Sequence, residues 1–136
     1  MMPMKKKRIL VVDDLASDTR LLKQQLEQSR QFEVREENDP TAAVITAEEF
    51  KPDLIVLDIM MPTMDGRHLA ACITASPKLK DVPILFLTAR ISKEEVDAIG
   101  GQLGGFPFLA KPVPVSELIA SIHRGICGNP RRKSNT

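Results

Sequence analysis

Five polar side chains stand where apolar runs stop. Asp13 and Asp14 close Ile9-Leu10-Val11-Val12, Asp58 closes Leu54-Ile55-Val56-Leu57, Thr88 closes Pro83-Ile84-Leu85-Phe86-Leu87, and Lys111 follows Phe106-Pro107-Phe108-Leu109-Ala110. If these runs are parallel strands, the five groups meet on one rim. Three carboxylates a few ångströms apart repel by several kcal/mol at an effective dielectric of about 20, so a positive charge must offset them. A hard divalent cation does so, and an all-oxygen site with positions left for water suits Mg²⁺. A carboxylate is also a nucleophile for phosphoryl transfer, a reaction that asks the protein mainly for positioning and charge stabilisation. Asp58, alone at the end of its run, is the natural acceptor. Asp13 and Asp14 would hold the metal, Lys111 would neutralise phosphoryl oxygens and Thr88 would donate a hydrogen bond to one.

No histidine or cysteine closes a strand as a rival nucleophile. His68 and His123 fall in expected helices and are expected to face solvent. Cys72 and Cys127 match no metal-binding or redox spacing and read as idle thiols. Met60, Met61 and Met64 read as adaptable packing beside the site.

The elements that must position these groups alternate along the chain. Arg8 to Val12 is a continuous apolar run, as a strand covered on both faces requires. Ser17 to Ser29 carries Leu21, Leu22 and Leu26 at helical spacing, and Phe32 and Val34 alternate with charged residues as in a more exposed strand. Asp39-Pro40 opens a helix to about Phe50, Asp65-Gly66 precedes a helix from Arg67 to Ser76, and Ser92-Lys93-Glu94-Glu95 has capping-box spacing for a helix to Gly100-Gly101. Pro107 places the last strand at a sheet edge, and Val115 to about Ile126 is the final helix. Strand and helix alternate five times, which predicts an α/β domain: a doubly wound parallel sheet with helices on both sides. Such sheets place function at the carboxyl ends of their strands.

The 136 residues, with 43% hydrophobic and 27% charged, suffice for one domain, and no fused effector is expected within them. The chain is expected either to act alone or to be a piece of a longer regulator. No apolar run reaches the length of a membrane helix and no signal peptide opens the chain, so a cytoplasmic location is expected. The formal charge of +1 hides an uneven distribution. Seven of 19 basic residues lie in Lys5 to Arg8 and Arg131 to Lys133, leaving residues 9 to 130 with 12 basic against 18 acidic groups. An acidic body argues against a nucleic-acid-binding face, which needs a basic stripe.

In order and spacing, Ile9-Leu10-Val11-Val12-Asp13-Asp14, Asp58-Ile59-Met60-Met61-Pro62-Thr63-Met64-Asp65-Gly66, Leu87-Thr88-Ala89 and Phe108-Leu109-Ala110-Lys111-Pro112 resemble the receiver domain of two-component response regulators. The resemblance spans residues 7 to 127, between a basic flank (1–6) and a polar, basic tail (128–136). It implies a flavodoxin-like sheet of five strands in the order 2-1-3-4-5 with five helices. It implies Mg²⁺ held by Asp13, Asp14, Asp58 and the backbone carbonyl of Met60, with a histidine kinase or phosphotransfer protein donating phosphate to Asp58. Thr88 and Phe108 become the switch pair that repacks the surface of the fourth helix, edge strand and fifth helix for an unknown downstream protein. Lys111-Pro112 is expected to be cis. Met60 and Arg90 occupy the positions that tune phosphoryl lifetime, and neither readily orients a water, so self-dephosphorylation is expected to be moderate to slow. Gly100, Gly101, Gly104 and Gly105 suggest a mobile output face. The chain is expected to be a monomer or weak dimer and not an enzyme. The rival readings are a phosphatase of the haloacid-dehalogenase type, which wants an acid where Met60 stands, and a receiver-like module that binds proteins without phosphate.

Overall fold

Every apolar run named above becomes a strand. The computed structural model describes residues 5–89, 102–103 and 106–128. Strands β1 (Lys7–Val12), β2 (Phe32–Glu37), β3 (Leu54–Leu57), β4 (Ile84–Thr88) and β6 (Phe106–Ala110) lie parallel in the order β2-β1-β3-β4-β6. This is the five-stranded 2-1-3-4-5 arrangement that the sequence predicts. A two-residue strand, β5 (Gln102–Leu103), is added antiparallel outside β6, so the strand containing Pro107 is not the outermost one. Pro107 brings no N–H to that ladder, and the pairing covers only Gln102 opposite Pro107 and Leu103 opposite Phe106.

The helices among the described residues are α1 (Ala16–Gln28), α2 (Ala43–Phe50), α3 (Gly66–Ala75) and α4 (Val115–Cys127). The helix expected from Ser92, with the glycine cluster and Arg90, lies outside the described residues. Asp39 caps as predicted, its carboxylate accepting from the Thr41 N–H at 3.0 Å, but the turn that it opens is a short 3₁₀ segment (Pro40–Ala42) that leads into α2. Asp65 accepts from the Arg67 N–H at 2.8 Å and so fixes the start of α3.

Side chains alternate across each strand and divide the core in two. Leu10, Val12, Ile55, Leu57, Ile84, Phe86 and Phe108 face one side with residues of α2 and α3, including Ala47, Phe50, Leu69 and Ile73. Ile9, Val11, Leu54, Val56, Leu85 and Leu87 face the other with Leu26 of α1 and Leu118, Ile122 and Ile126 of α4. All of β3 and β4 is buried, and each large apolar side chain so placed contributes about 1.5–3 kcal/mol relative to an exposed one. That double-sided cover is why these strands read as unbroken apolar runs, whereas β2, an edge strand, shows the alternation of Phe32 and Val34 with exposed Glu33 and Arg35. His123 departs from the solvent-facing expectation. Its ring lies 5.4 Å from that of Phe32 and its Nε2 is 2.6 Å from Gln31 Oε1. No helix among the described residues is long and apolar enough to cross a membrane.

Candidate functional site

Sheet register, rather than proximity in the chain, assembles the rim. Val12 pairs with Leu57, so the residues that follow them, Asp13 and Asp58, leave adjacent strands side by side at the point where the strand order reverses. The Asp58 N–H donates to the Val12 carbonyl at 3.0 Å, which carries the register one step past the strand end. On the other side Thr88 pairs with Ala110, and the Lys111 N–H donates to the Thr88 carbonyl at 2.8 Å. The peptide bond between Lys111 and Pro112 is cis, as expected.

Asp13, Asp14 and Asp58 each present a carboxylate oxygen within 4.8 Å of the others. Asp13 is buried, with Oδ1 accepting from the Leu15 N–H at 3.1 Å and Oδ2 accepting from Lys111 Nζ at 2.8 Å. The Lys111 ammonium makes a second ion pair with Asp18 Oδ2 at 3.2 Å. Asp58 is 8% exposed and receives one weak bond, from the Met60 N–H at 3.4 Å. Burial and the neighbouring Asp13 push the Asp58 carboxyl up to about 6, against the opposing pull of Lys111 and the Met60 N–H. Asp14 is also raised, by desolvation and by Asp13 beside it. Burial draws the Lys111 ammonium down, but its bonds to Asp13 and Asp18 and the field of Asp58 outweigh this and leave it raised. The group therefore holds more negative charge than its lysine neutralises. Hard carboxylate oxygens gathered in this way fit a divalent cation with water in its remaining positions.

Thr88 is buried at 2% exposure, and so is Phe108, whose ring belongs to the core shared with Phe86, Leu57 and Met61. Met60 is exposed at 46% beside the acceptor, while Met61 is buried and Met64 packs against the core. Asp13, Asp14, Asp58, Thr88 and Lys111 thus come to one end of the sheet, Met60 borders them, and Phe108 lies one strand beyond Thr88 with its side chain directed into the core.

Three contributors escaped the reading of strand ends. Asn38 follows β2 and donates through Nδ2 to the Asp13 carbonyl at 2.8 Å and to Thr19 Oγ1 at 2.9 Å. It also closes a strand, but β2 is not an apolar run and did not draw attention. Asp18 lies in the first turn of α1 and has no spacing that would link it to Lys111. Gly66 is required by close approach: a Cβ there would lie 2.1 Å from the Asp58 carbonyl oxygen and 2.7 Å from Ile59 Cα. Its N–H donates to the Ile59 carbonyl at 2.8 Å, tying the start of α3 to the loop that carries the acceptor.

The response regulator receiver domain family model matches residues 9–123. Among curated relatives, the Bacillus subtilis alkaline phosphatase synthesis transcriptional regulatory protein PhoP is 40% identical over 117 residues, which is 85% of this chain and 47% of PhoP. The chain spans about half, or less, of the length of the curated relatives it matches. Among solved structures, the Vibrio cholerae chemotaxis protein CheY4 superposes with a TM-score of 0.74 at 28% identity, covering 89% of this chain and 99% of that one. The receiver domain of the Pseudomonas aeruginosa sensor histidine kinase PA1611, solved with a magnesium ion coordinated in its active-site cleft, gives a TM-score of 0.74 at 28% identity over 90% of this chain and 98% of its own.

Proposed function

Because the chain belongs to the response regulator receiver domain family, we propose that Asp58 accepts a phosphoryl group from a histidine kinase or histidine phosphotransfer protein and that this changes a protein-docking surface. The observation that carries the reading is the meeting of Asp13, Asp14 and Asp58 within 4.8 Å, with Lys111 bonded to Asp13 at 2.8 Å. In transfer, an oxygen of ionised Asp58 forms the new bond to phosphorus as the phosphorus–nitrogen bond to the donor imidazole breaks. The imidazole leaves with the bonding electrons and takes up a proton.

The oxygen donors we assign to Mg²⁺ are the carboxylates of Asp13, Asp14 and Asp58 and the backbone carbonyl of Met60. Bound there, the ion would neutralise the crowded carboxylates and the charge on the phosphoryl oxygens. Lys111 supplies a point charge to the transferred group and Thr88 a hydroxyl donor. The switch we assign to Thr88 and Phe108 starts from a structure in which the Phe108 ring is already buried. Phosphorylation then stabilises an inward arrangement and repacks a docking surface that includes β6 and α4. The acidic body supports a protein rather than a nucleic acid as the partner of that surface, and a cytoplasmic location is part of the same proposal. Met60, beside Asp58, and Arg90 offer no carboxylate or amide to orient a water, so the chain is a signalling domain with slow self-dephosphorylation rather than a phosphatase.

Mass spectrometry after acetyl phosphate treatment tests the assignment. One added phosphate is expected on the parent, only with Mg²⁺, and none on Asp58→Asn. Equal labelling of the two, or no labelling of the parent, would overturn it.

A further inference from the structure

Lys111 does not stand free beside the acceptor. Its short contacts among the described residues go to Asp13 Oδ2 at 2.8 Å and Asp18 Oδ2 at 3.2 Å, while Asp58 takes its hydrogen bond from the Met60 N–H. These two carboxylates are not equivalent. Asp13 is 3% exposed, belongs to the three-carboxylate cluster and is held from its other oxygen by the Leu15 N–H. Asp18 is 39% exposed, lies outside that cluster and is carried on the first turn of α1. An open, largely apolar cleft of about 320 Å³, lined in part by Leu21, Leu87 and Val113, borders the Asp18–Lys111 pair.

We propose that Asp18 is a positioning residue that restrains Lys111: it holds the ammonium toward α1 while Asp58 is unmodified and must be released when a phosphoryl group arrives. A phosphoryl group brings a charge of about −1.5 to −2, a stronger target for an ammonium than one half-exposed carboxylate. Of Lys111's two partners Asp18 is the one to yield, because Asp13 is buried and engaged on both oxygens. Asp18 thereby raises the threshold for occupation of the site without touching metal or phosphate. The inference rests on the phosphoacceptor reading above.

The test uses beryllofluoride with Mg²⁺ as a non-covalent phosphoryl analogue, measured by titration calorimetry because the chain has no Trp or Tyr to report by fluorescence. Asp18→Asn is expected to bind the analogue roughly two- to fivefold more tightly than the parent, the range that one half-exposed ion pair supports. Asp18→Ala, which removes the acceptor altogether, is expected to do the same. Mg²⁺ alone is expected to bind neither variant more tightly, and the gain is expected to vanish in a Lys111→Met background. Unchanged or weaker analogue binding by both Asp18 variants overturns the inference, as does a gain that persists without Lys111 or appears with Mg²⁺ alone. If the parent binds no analogue at all, the acceptor reading falls and the inference with it. If the parent binds and the variants match it, only the inference falls.

Discussion

The two ends of the sheet treat charge in opposite ways. At the amino end, where β1 begins, charged side chains are packed into the fold, although the buried Arg8 Nε has no hydrogen-bond partner among the described residues. The Arg8 N–H donates to Asp53 Oδ2 at 2.8 Å, the Asp53 N–H returns a bond to the Arg8 carbonyl at 2.7 Å, and the Arg8 guanidinium lies 4.4 Å from the centre of the Phe50 ring. Arg35 approaches the same ring at 5.0 Å. At the carboxyl end, three carboxylates are crowded together and Asp58 is driven up to about 6. One end is arranged for the folded state alone. The other carries negative charge that the fold does not balance, which is the condition a bound cation would relieve.

Four experiments press on that contrast. The largest effect is expected from Gly66→Ala, because the new Cβ meets backbone atoms of Asp58 and Ile59 rather than a side chain that can move aside. A loss of about 3 kcal/mol or more in denaturant unfolding is expected, from overpacking against atoms that cannot yield. Stability within about 0.5 kcal/mol of the parent would show that the acceptor loop is not held as described.

Next is Asp58→Asn without metal. A carboxyl whose folded pKa is raised to about 6 binds its proton more tightly in the folded than in the unfolded chain, where it titrates near the ordinary 3.8. The resulting penalty is therefore present above pH 6 and fades as pH falls toward 4. Asp58→Asn is expected to be more stable than the parent at pH 7.5 by about 1–2 kcal/mol, with the difference shrinking toward pH 4. A less stable variant at neutral pH would place the charge imbalance elsewhere.

Mg²⁺ should then raise the melting temperature of the parent, since a ligand that binds only the folded chain stabilises it by about 2.7 kcal/mol at one hundred times its dissociation constant. The increment is expected to be smaller at pH 5, where protons compete for Asp58, and smaller in Asp58→Asn. Equal stabilisation in both proteins would separate the ion from this carboxylate. The smallest effect is expected at the opposite end. Arg8→Ala removes a guanidinium from the Phe50 face and is expected to cost about 0.5–1 kcal/mol, with no change in Mg²⁺-dependent labelling of Asp58.

Much of this arrangement was legible without coordinates. Unbroken apolar runs located β1, β3 and β4, because a strand covered on both faces has no polar position to spare. The same runs located Asp13, Asp14, Asp58 and Thr88, because the first polar residue after a buried parallel strand emerges at its carboxyl rim, and the run that becomes β6 located Lys111 in the same way. Pro107 misled slightly: it predicted an outermost strand, and β5 pairs outside it across two residues. His123 misled too, since a helical position does not say whether a neighbouring Phe32 will cover the ring.

What the chain determined by itself was therefore local: which segments are buried strands, where each ends, and which chemical groups those ends carry. Only the tertiary structure decided which of these groups touch. Lys111 and Asp13 are 98 positions apart and Lys111 and Asp18 are 93 apart, and no periodicity spans such distances. Their contact follows from the order of strands in the sheet. The place of Asn38 behind Asp13, the need for glycine at position 66 and the raised Asp58 carboxyl likewise arise where elements meet. The physical reason is that burial pattern is written residue by residue, whereas desolvation, charge crowding and close backbone approach exist only between segments that folding has brought together.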